Sequence, residues 1–250
     1  MKAYLSLLLL PPLFLALAFG PASIAAPPPP PEPLYIDQPG SPDGTGKWFL
    51  GREIAHFMSH QGAPWLERPE RSVEEQPLRL IAALGLKPGQ KVADVGAGSG
   101  YLSWRLATNV GPSGRVFATD IQPEMIALLR TNMAARRIDN VVPVLSSPLE
   151  TGLPADSLDL IILVDVYHEC DHPFEMAHGM VDALRPGGRL VFVEYRGEEP
   201  WIPIKRLHKM TEAQVRSEMR FHNLSFVTND HRLPRQHILI FRKPEPATQP

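Results

Sequence analysis

The chain has 250 residues and a formal net charge of −2 at pH 7. That length supplies a core for one domain with room for a cap, and the near balance of charge excludes bulk attraction to nucleic acid. A single cysteine, Cys170, excludes an internal disulfide, tolerates an oxidising compartment, and reads as an inert small apolar residue.

The first 25 residues carry one lysine, then an apolar run, then small residues. This order predicts a secretory signal peptide cleaved after Ala25 and a periplasmic or secreted protein. Pro11 and Pro12 interrupt the run and argue against a straight spanning helix. An uncleaved leader would instead anchor the chain to the inner membrane, the one route to a membrane partner. Residues 26–46 are rich in proline and glycine and predict an extended tether.

Residues 47–90 predict a helical cap. In "GREIAHFMSH" (51–60), Ile54, Phe57 and Met58 fall on one side and Arg52, Glu53 and His56 elsewhere, a helical spacing. "PLRLIAALGL" predicts a short amphipathic helix closed by Gly85. Arg52, Glu53, Trp65, Arg68 and Arg71 are cap residues able to select a ligand at a pocket mouth. The first reading of any one of them is part of a helical lid held by surface ion pairs and a tryptophan.

From 91 to 243 strands and helices alternate. Strands are expected at Val92–Val95, Val116–Thr119, Val141–Leu145, Leu160–Val164 and Leu190–Glu194. Helices are expected at Tyr101–Asn109, Pro123–Arg136 and Phe174–Leu184. Alternation of this kind means an α/β, doubly wound parallel sheet. A helix beginning after Thr211 and two strands, "LSFVTND" and "QHILIFRK", follow, and the short connection between the strands predicts an antiparallel pair at one edge. Residues 244–250 are expected to be a disordered tail.

The first strand runs into "VGAGSGY", in which Gly96, Gly98 and Gly100 alternate and bare backbone meets the start of a helix. A dinucleotide fingerprint needs Gly-x-Gly-x-x-Gly, and its last place is Tyr101 here. Ligands of such sheets sit at the carboxyl ends of strands. After the second strand stands Asp120, about two dozen residues past the glycines, placed to accept from both ribose hydroxyls or to cap the helix opened by Pro123.

Gly-x-Gly-x-Gly with Asp94 two places earlier resembles the first motif of class I S-adenosylmethionine-dependent methyltransferases. Together with Asp120, "LPADSLDLIILVDVYHE" and "LRPGGRLVFVEY", in that order, it is similar to the methyltransferase type 11, ubiquinone-biosynthesis-like branch, over about residues 91–243. The resemblance implies a Rossmann-like sheet of seven strands, mostly parallel with one antiparallel edge strand, and S-adenosyl-L-methionine as cofactor. It implies cofactor contacts at Asp94, Gly96, Ala97, Gly98, Gly100, Asp120, Ile121 and Asp165, Asp165 near the methionine end or the transferring methyl. Where the family often has an aspartate for the adenine amino group, this chain has Ser147, expected to bond the adenine less strongly than a charged acceptor, with Glu150 just beyond.

Tyr167 and His168 are expected to face the reaction space. His168 is the first candidate for a general base, with Glu194 and Tyr195 behind it, although the first reading of His168 as a residue is one that packs and hydrogen-bonds near the pocket. His56 with His60, and His168 with His172, are spaced i, i+4 and could bind a metal with Glu53 or Glu169. Nine histidines make such spacings common by chance, and no metal is expected.

The expected function is in-line methyl transfer to a small molecule, with positioning as the main catalytic contribution. The alternative is an exported, non-catalytic module that binds a nucleoside or another ligand on the same fold. The methyl acceptor is not readable.

Overall fold

A computed structural model describes residues 26–246. The expected signal peptide and the last four residues of the expected tail lie outside the described residues. No helix among the described residues is long and apolar enough to cross a membrane.

The described residues open with three antiparallel strands, β1 (Tyr35–Asp37), β2 (Gly44–Phe49) and β3 (Arg52–Ala55). This corrects two expectations. The tether of residues 26–46 contains a strand and the start of another, and "GREIAHFMSH" opens as a strand rather than a helix. All four residues of β3 are buried, so the segment lacks the exposed polar face that an amphipathic helix needs. Glu53 accepts from the backbone N–H groups of Ser41 (2.8 Å) and Gly46 (3.3 Å). Arg52 is a buried partner of Glu218. The polar residues of the apparent helix are thus inward ties of a small sheet. Three short helices complete the cap: α1 (Ala63–Leu66), α2 (Arg71–Glu74) and α3 (Pro77–Leu84), the last closed by left-handed Gly85.

The remainder alternates as expected: β4 (Lys91–Val95), α4 (Ser103–Val110), β5 (Arg115–Asp120), α5 (Pro123–Ala135), β6 (Val141–Leu145), β7 (Leu158–Val164), α6 (Pro173–Ala183), β8 (Leu184–Tyr195), α7 (Glu212–Met219), β9 (Ser225–Asp230) and β10 (Gln236–Arg242). They form one seven-stranded sheet in the order β6-β5-β4-β7-β8-β10-β9. The strands from β6 to β8 are parallel, and β10 runs antiparallel between β8 and β9 at one end. Pro143 lies on the outer strand β6, where a missing N–H is tolerated.

Alternate residues of the central strands feed two cores. Val92, Leu160, Ile162 and Val191 join α3 and α4, while Ala93, Ile161, Leu163 and Phe192 join α6 and α7. Thr211 caps α7 reciprocally with Gln214. The strand order reverses beside β4, so the loops that leave the carboxyl ends of the paired strands β4 and β7 run to opposite faces of the sheet and leave a crevice between them.

Candidate active site

The crevice is a cavity of about 900 Å³, walled by the loops after β4, β5, β6 and β7 and roofed by the cap. Asp94, Gly96, Ala97, Gly98, Asp120, Ile121, Ser147, Asp165 and His168 all border it. Gly96 and Gly98 have φ of +70° and +53°, a left-handed geometry that favours glycine. A Cβ on Gly96 would meet Val166 at 2.5 Å, and one on Gly98 would meet Leu66 of the cap at 2.6 Å. The loop is therefore enclosed by the β7 loop on one side and by the cap on the other.

Three carboxylates surround this loop. Asp94 is buried and accepts from Ser103 Oγ at 2.6 Å. Burial pushes its carboxyl up to about 6, against the pull of the Ser103 hydrogen bond and the Arg71 charge. Asp120 accepts from the N–H groups of Gly98 (3.0 Å) and Gln122 (2.9 Å), and burial still holds it above the usual carboxylate range. It thus ties the glycine loop to the entry of α5 while facing the cavity.

Asp165 sits in left-handed backbone at φ +55°. Its Oδ2 accepts from Gln236 Nε2 at 2.6 Å, and its shielded Oδ1 has no hydrogen-bond partner among the described residues. Burial, then the charges of Glu75 and Glu194, hold its carboxyl well above the ordinary range. A buried acceptor of this kind calls for a donor from a ligand. The acid cluster suits hydroxyl and cationic groups and would repel a pyrophosphate.

Several expected contacts are differently used. Gly100 lies off the cavity, and a Cβ there would meet Met133 at 2.9 Å, so it allows α5 to close on the loop. Ser147 Oγ accepts from the N–H groups of Leu149 (3.3 Å) and Glu150 (3.0 Å), which makes it a turn residue at the cavity edge beside Ser146. Glu150 is exposed and off the cavity.

Tyr167 corrects the catalytic expectation. Its ring is fully buried in the core against Phe192, because the short 3₁₀ turn Tyr167–Glu169 points alternate side chains to opposite sides. Glu194 is fully buried behind His168 and acts only through it: Oε2 lies 2.6 Å from His168 Nδ1, and Oε1 accepts from the Tyr167 N–H at 3.0 Å. Burial alone would push His168 down, but the Glu194 and Glu169 charges outweigh it and raise its pKa. The Nε2 atom that a general base would present to substrate faces His208 Nδ1 at 3.1 Å. Burial pushes the Cys170 thiol up to about 12, which keeps it protonated.

The histidine pairs do not form as spaced. His60 is near Glu124 rather than His56, and His172 contacts Lys47 Nζ at 2.9 Å. Pro173 starts α6 and prevents one helix from carrying both His168 and His172.

Sequence reasoning missed a roof network. Glu75 accepts from Arg68 (2.7 Å), Arg71 (2.7 Å) and the Tyr195 hydroxyl (3.0 Å), and it borders the cavity. Tyr195 is a donor here, its phenol raised by burial, and not a base. Gln122 was also missed: it accepts from the His60 N–H and donates to the Met58 carbonyl, clipping the cap over the site. Neither Glu75 nor Gln122 belongs to a motif, so only their spatial neighbours identify them.

The comparisons with known proteins agree with this geometry. A family profile described as "Methyltransferase domain" matches residues 93–190. A protein-L-isoaspartate O-methyltransferase of Aeropyrum pernix is 36% identical over 120 residues, 45% of this chain and 42% of that protein. A ubiquinone/menaquinone biosynthesis C-methyltransferase of Cupriavidus taiwanensis is 28% identical over 136 residues, 54% of each chain. The chain thus spans about half the length of the curated relatives it matches. The solved structure of an S-adenosylmethionine-dependent methyltransferase from Aquifex aeolicus superposes with a TM-score of 0.71 at 21% identity, covering 75% of this chain and all of that one, a likeness of fold. Residues 93–190 match a methyltransferase domain, and together with the glycine loop, acid cluster and strand order this supports a class I methyltransferase with S-adenosyl-L-methionine as cofactor.

Proposed function

We propose that this protein transfers a methyl group from S-adenosylmethionine to a small molecule held under the cap. The observation that carries the reading is the unpartnered, buried Oδ1 of Asp165 beside the acidic glycine loop. In this reading Asp165 receives the ammonium of the methionine end, and Asp94 braces the loop from below. Asp120 accepts from the ribose hydroxyls, while Ile121 and the Ser146–Ser147 edge flank the adenine. The bound cofactor supplies a methyl group made electrophilic by its sulfonium.

The chain's own contribution is alignment. Holding reactants in line supplies about 7–11 kcal/mol in well-oriented systems. The cavity of about 900 Å³ is at the upper end for single-ligand sites, about 300–1,000 Å³, which favours cofactor and a small acceptor together over a macromolecular acceptor. Gln122 and the Arg68–Glu75–Arg71 network hold the roof that excludes water. The acceptor would enter on the side of His56, His168 and His208.

The reading is tested by thermal denaturation with adenosylhomocysteine. The protein should melt higher with millimolar ligand, and Gly96→Arg, which crowds the loop, should lose that shift, with its fold checked by circular dichroism. An unchanged melting point with both adenosylhomocysteine and S-adenosylmethionine would favour a module that binds a different ligand.

A further inference from the structure

We propose that His168, Glu169 and His208 form a site for a borderline divalent transition-metal ion of the Zn²⁺ class, with its open positions facing the cavity. His168 Nε2 and His208 Nδ1 are 3.1 Å apart. Glu169 Oε1 lies 3.2 Å from His208 Nδ1 and 3.8 Å from His168 Nε2. Donors held at about 2.1 Å from one ion are about 3.0 Å apart at a right angle and about 3.4 Å apart at the tetrahedral angle. Two of the observed edges, 3.1 and 3.2 Å, fall between these values, and the third, 3.8 Å, is longer, so Glu169 Oε1 would swing toward His168 on binding. Two imidazoles and one carboxylate are also the donor set of three-ligand sites that keep a position open for substrate.

The orientation of the donors supports an ion over chance proximity. Glu194, fully buried, holds the Nδ1 edge of His168 at 2.6 Å, the carboxylate–histidine arrangement that turns Nε2 outward as a ligand. Glu169 Oε2 accepts from the Met58 N–H of the cap at 3.2 Å, which leaves Oε1 toward the two imidazoles. Arg52, paired to Glu218, donates to the His168 carbonyl at 3.1 Å and fixes the turn that carries both His168 and Glu169. His168 is almost wholly buried, whereas His208 and Glu169 are 23% and 15% exposed in their side chains, so the open side is the cavity side. His208 comes from a separate 3₁₀ turn, Arg206–His208, forty positions along the chain.

An ion there makes His168 a ligand, and the free positions would take an acceptor with an ionisable oxygen or sulfur donor. That assignment of acceptor chemistry rests on the methyl-transfer reading; the metal site does not.

The test uses the full-chain protein, stripped with a chelator and titrated with Co²⁺ by visible absorption and with Zn²⁺ by calorimetry. One ion per chain and a ligand-field spectrum are expected. His208→Ala and Glu169→Gln alter partly exposed side chains, and each should weaken Zn²⁺ at least tenfold, with the fold checked by circular dichroism. Glu194→Gln should weaken it about 10–100-fold as an orienting partner. Absence of saturable binding, or unchanged Zn²⁺ affinity in the double variant His208→Ala/Glu169→Gln, overturns the site and leaves a hydrogen-bonded cluster. Adenosylhomocysteine melting shifts measured on the same samples separate the two readings. A retained shift with lost metal binding in the variants supports both, and Co²⁺ binding by wild type without any shift sinks only the methyltransferase reading.

Discussion

Arg52 and Glu218, 166 positions apart, form a two-pronged buried ion pair, with Nε–Oε1 at 2.7 Å and Nη2–Oε2 at 3.0 Å. The pair joins the first small sheet to α7 and lies in the interior, so Arg52 is a structural tie and not the selector of ligands that a cap arginine suggests. Removing one partner leaves an uncompensated buried charge, which costs about 3–5 kcal/mol. Arg52→Met should therefore lower the unfolding free energy by that order in urea titration, and Arg52→Met with Glu218→Leu should recover most of it. Equal instability of single and double variants would contradict this account of the pair.

Asp94 is expected to be retained against stability. Its carboxyl is raised to about 6 from an ordinary 3.8, chiefly by burial. The folded state therefore binds more protons than the unfolded chain between those values. The stability it contributes is full below about 3.8 and is lost as pH rises through about 6. Asp94→Asn should stabilise the protein by roughly 1–3 kcal/mol at pH 7, with the gain vanishing near pH 4 in parallel urea titrations.

His222 acts in the opposite sense. Burial, then the charge of His178, pushes it down to about 4, with Asp182 opposing, and both ring nitrogens lack hydrogen-bond partners among the described residues. The fold keeps this imidazole neutral. Its stability is full above about 6.5 and is lost as pH falls toward 4, by up to roughly 3 kcal/mol. His222→Leu should flatten the decline in unfolding free energy between pH 7 and pH 4.5; an identical decline in both proteins would assign acid sensitivity elsewhere.

Asp165→Asn keeps a side chain that tolerates left-handed backbone and removes the charge from the unpartnered oxygen. On the proposed reading, calorimetry should show adenosylhomocysteine binding weakened by about tenfold or more, since hydrogen bonds to charged groups contribute about 1.5–3 kcal/mol. Undiminished affinity would remove Asp165 from the methionine end.

Gln122 offers a test of the roof. Gln122→Ala deletes both hydrogen bonds to the Met58–His60 segment. Hydrogen exchange at the His60 amide, which donates to Gln122, should accelerate while the central strands stay protected.

Periodicity determined the alternating sheet, because strands such as β4 and β7 are short apolar runs and α5 and α6 each open on a proline. The glycines, Asp94 and Asp120 were legible for the same reason: they sit at strand ends, where topology places a ligand whatever the side-chain details. Only the tertiary structure decided the rest. Residues 44–55 became strands because Glu53 and Arg52 find buried partners elsewhere, a contact that outweighs local helical spacing. Tyr167 turned into the core and His168 into the cavity because they share a single 3₁₀ turn after β7, whose side chains leave on opposite sides. Glu75 and His208 reach the site from distant segments, His208 forty positions from its partner His168, and one-dimensional spacing carries no record of that approach.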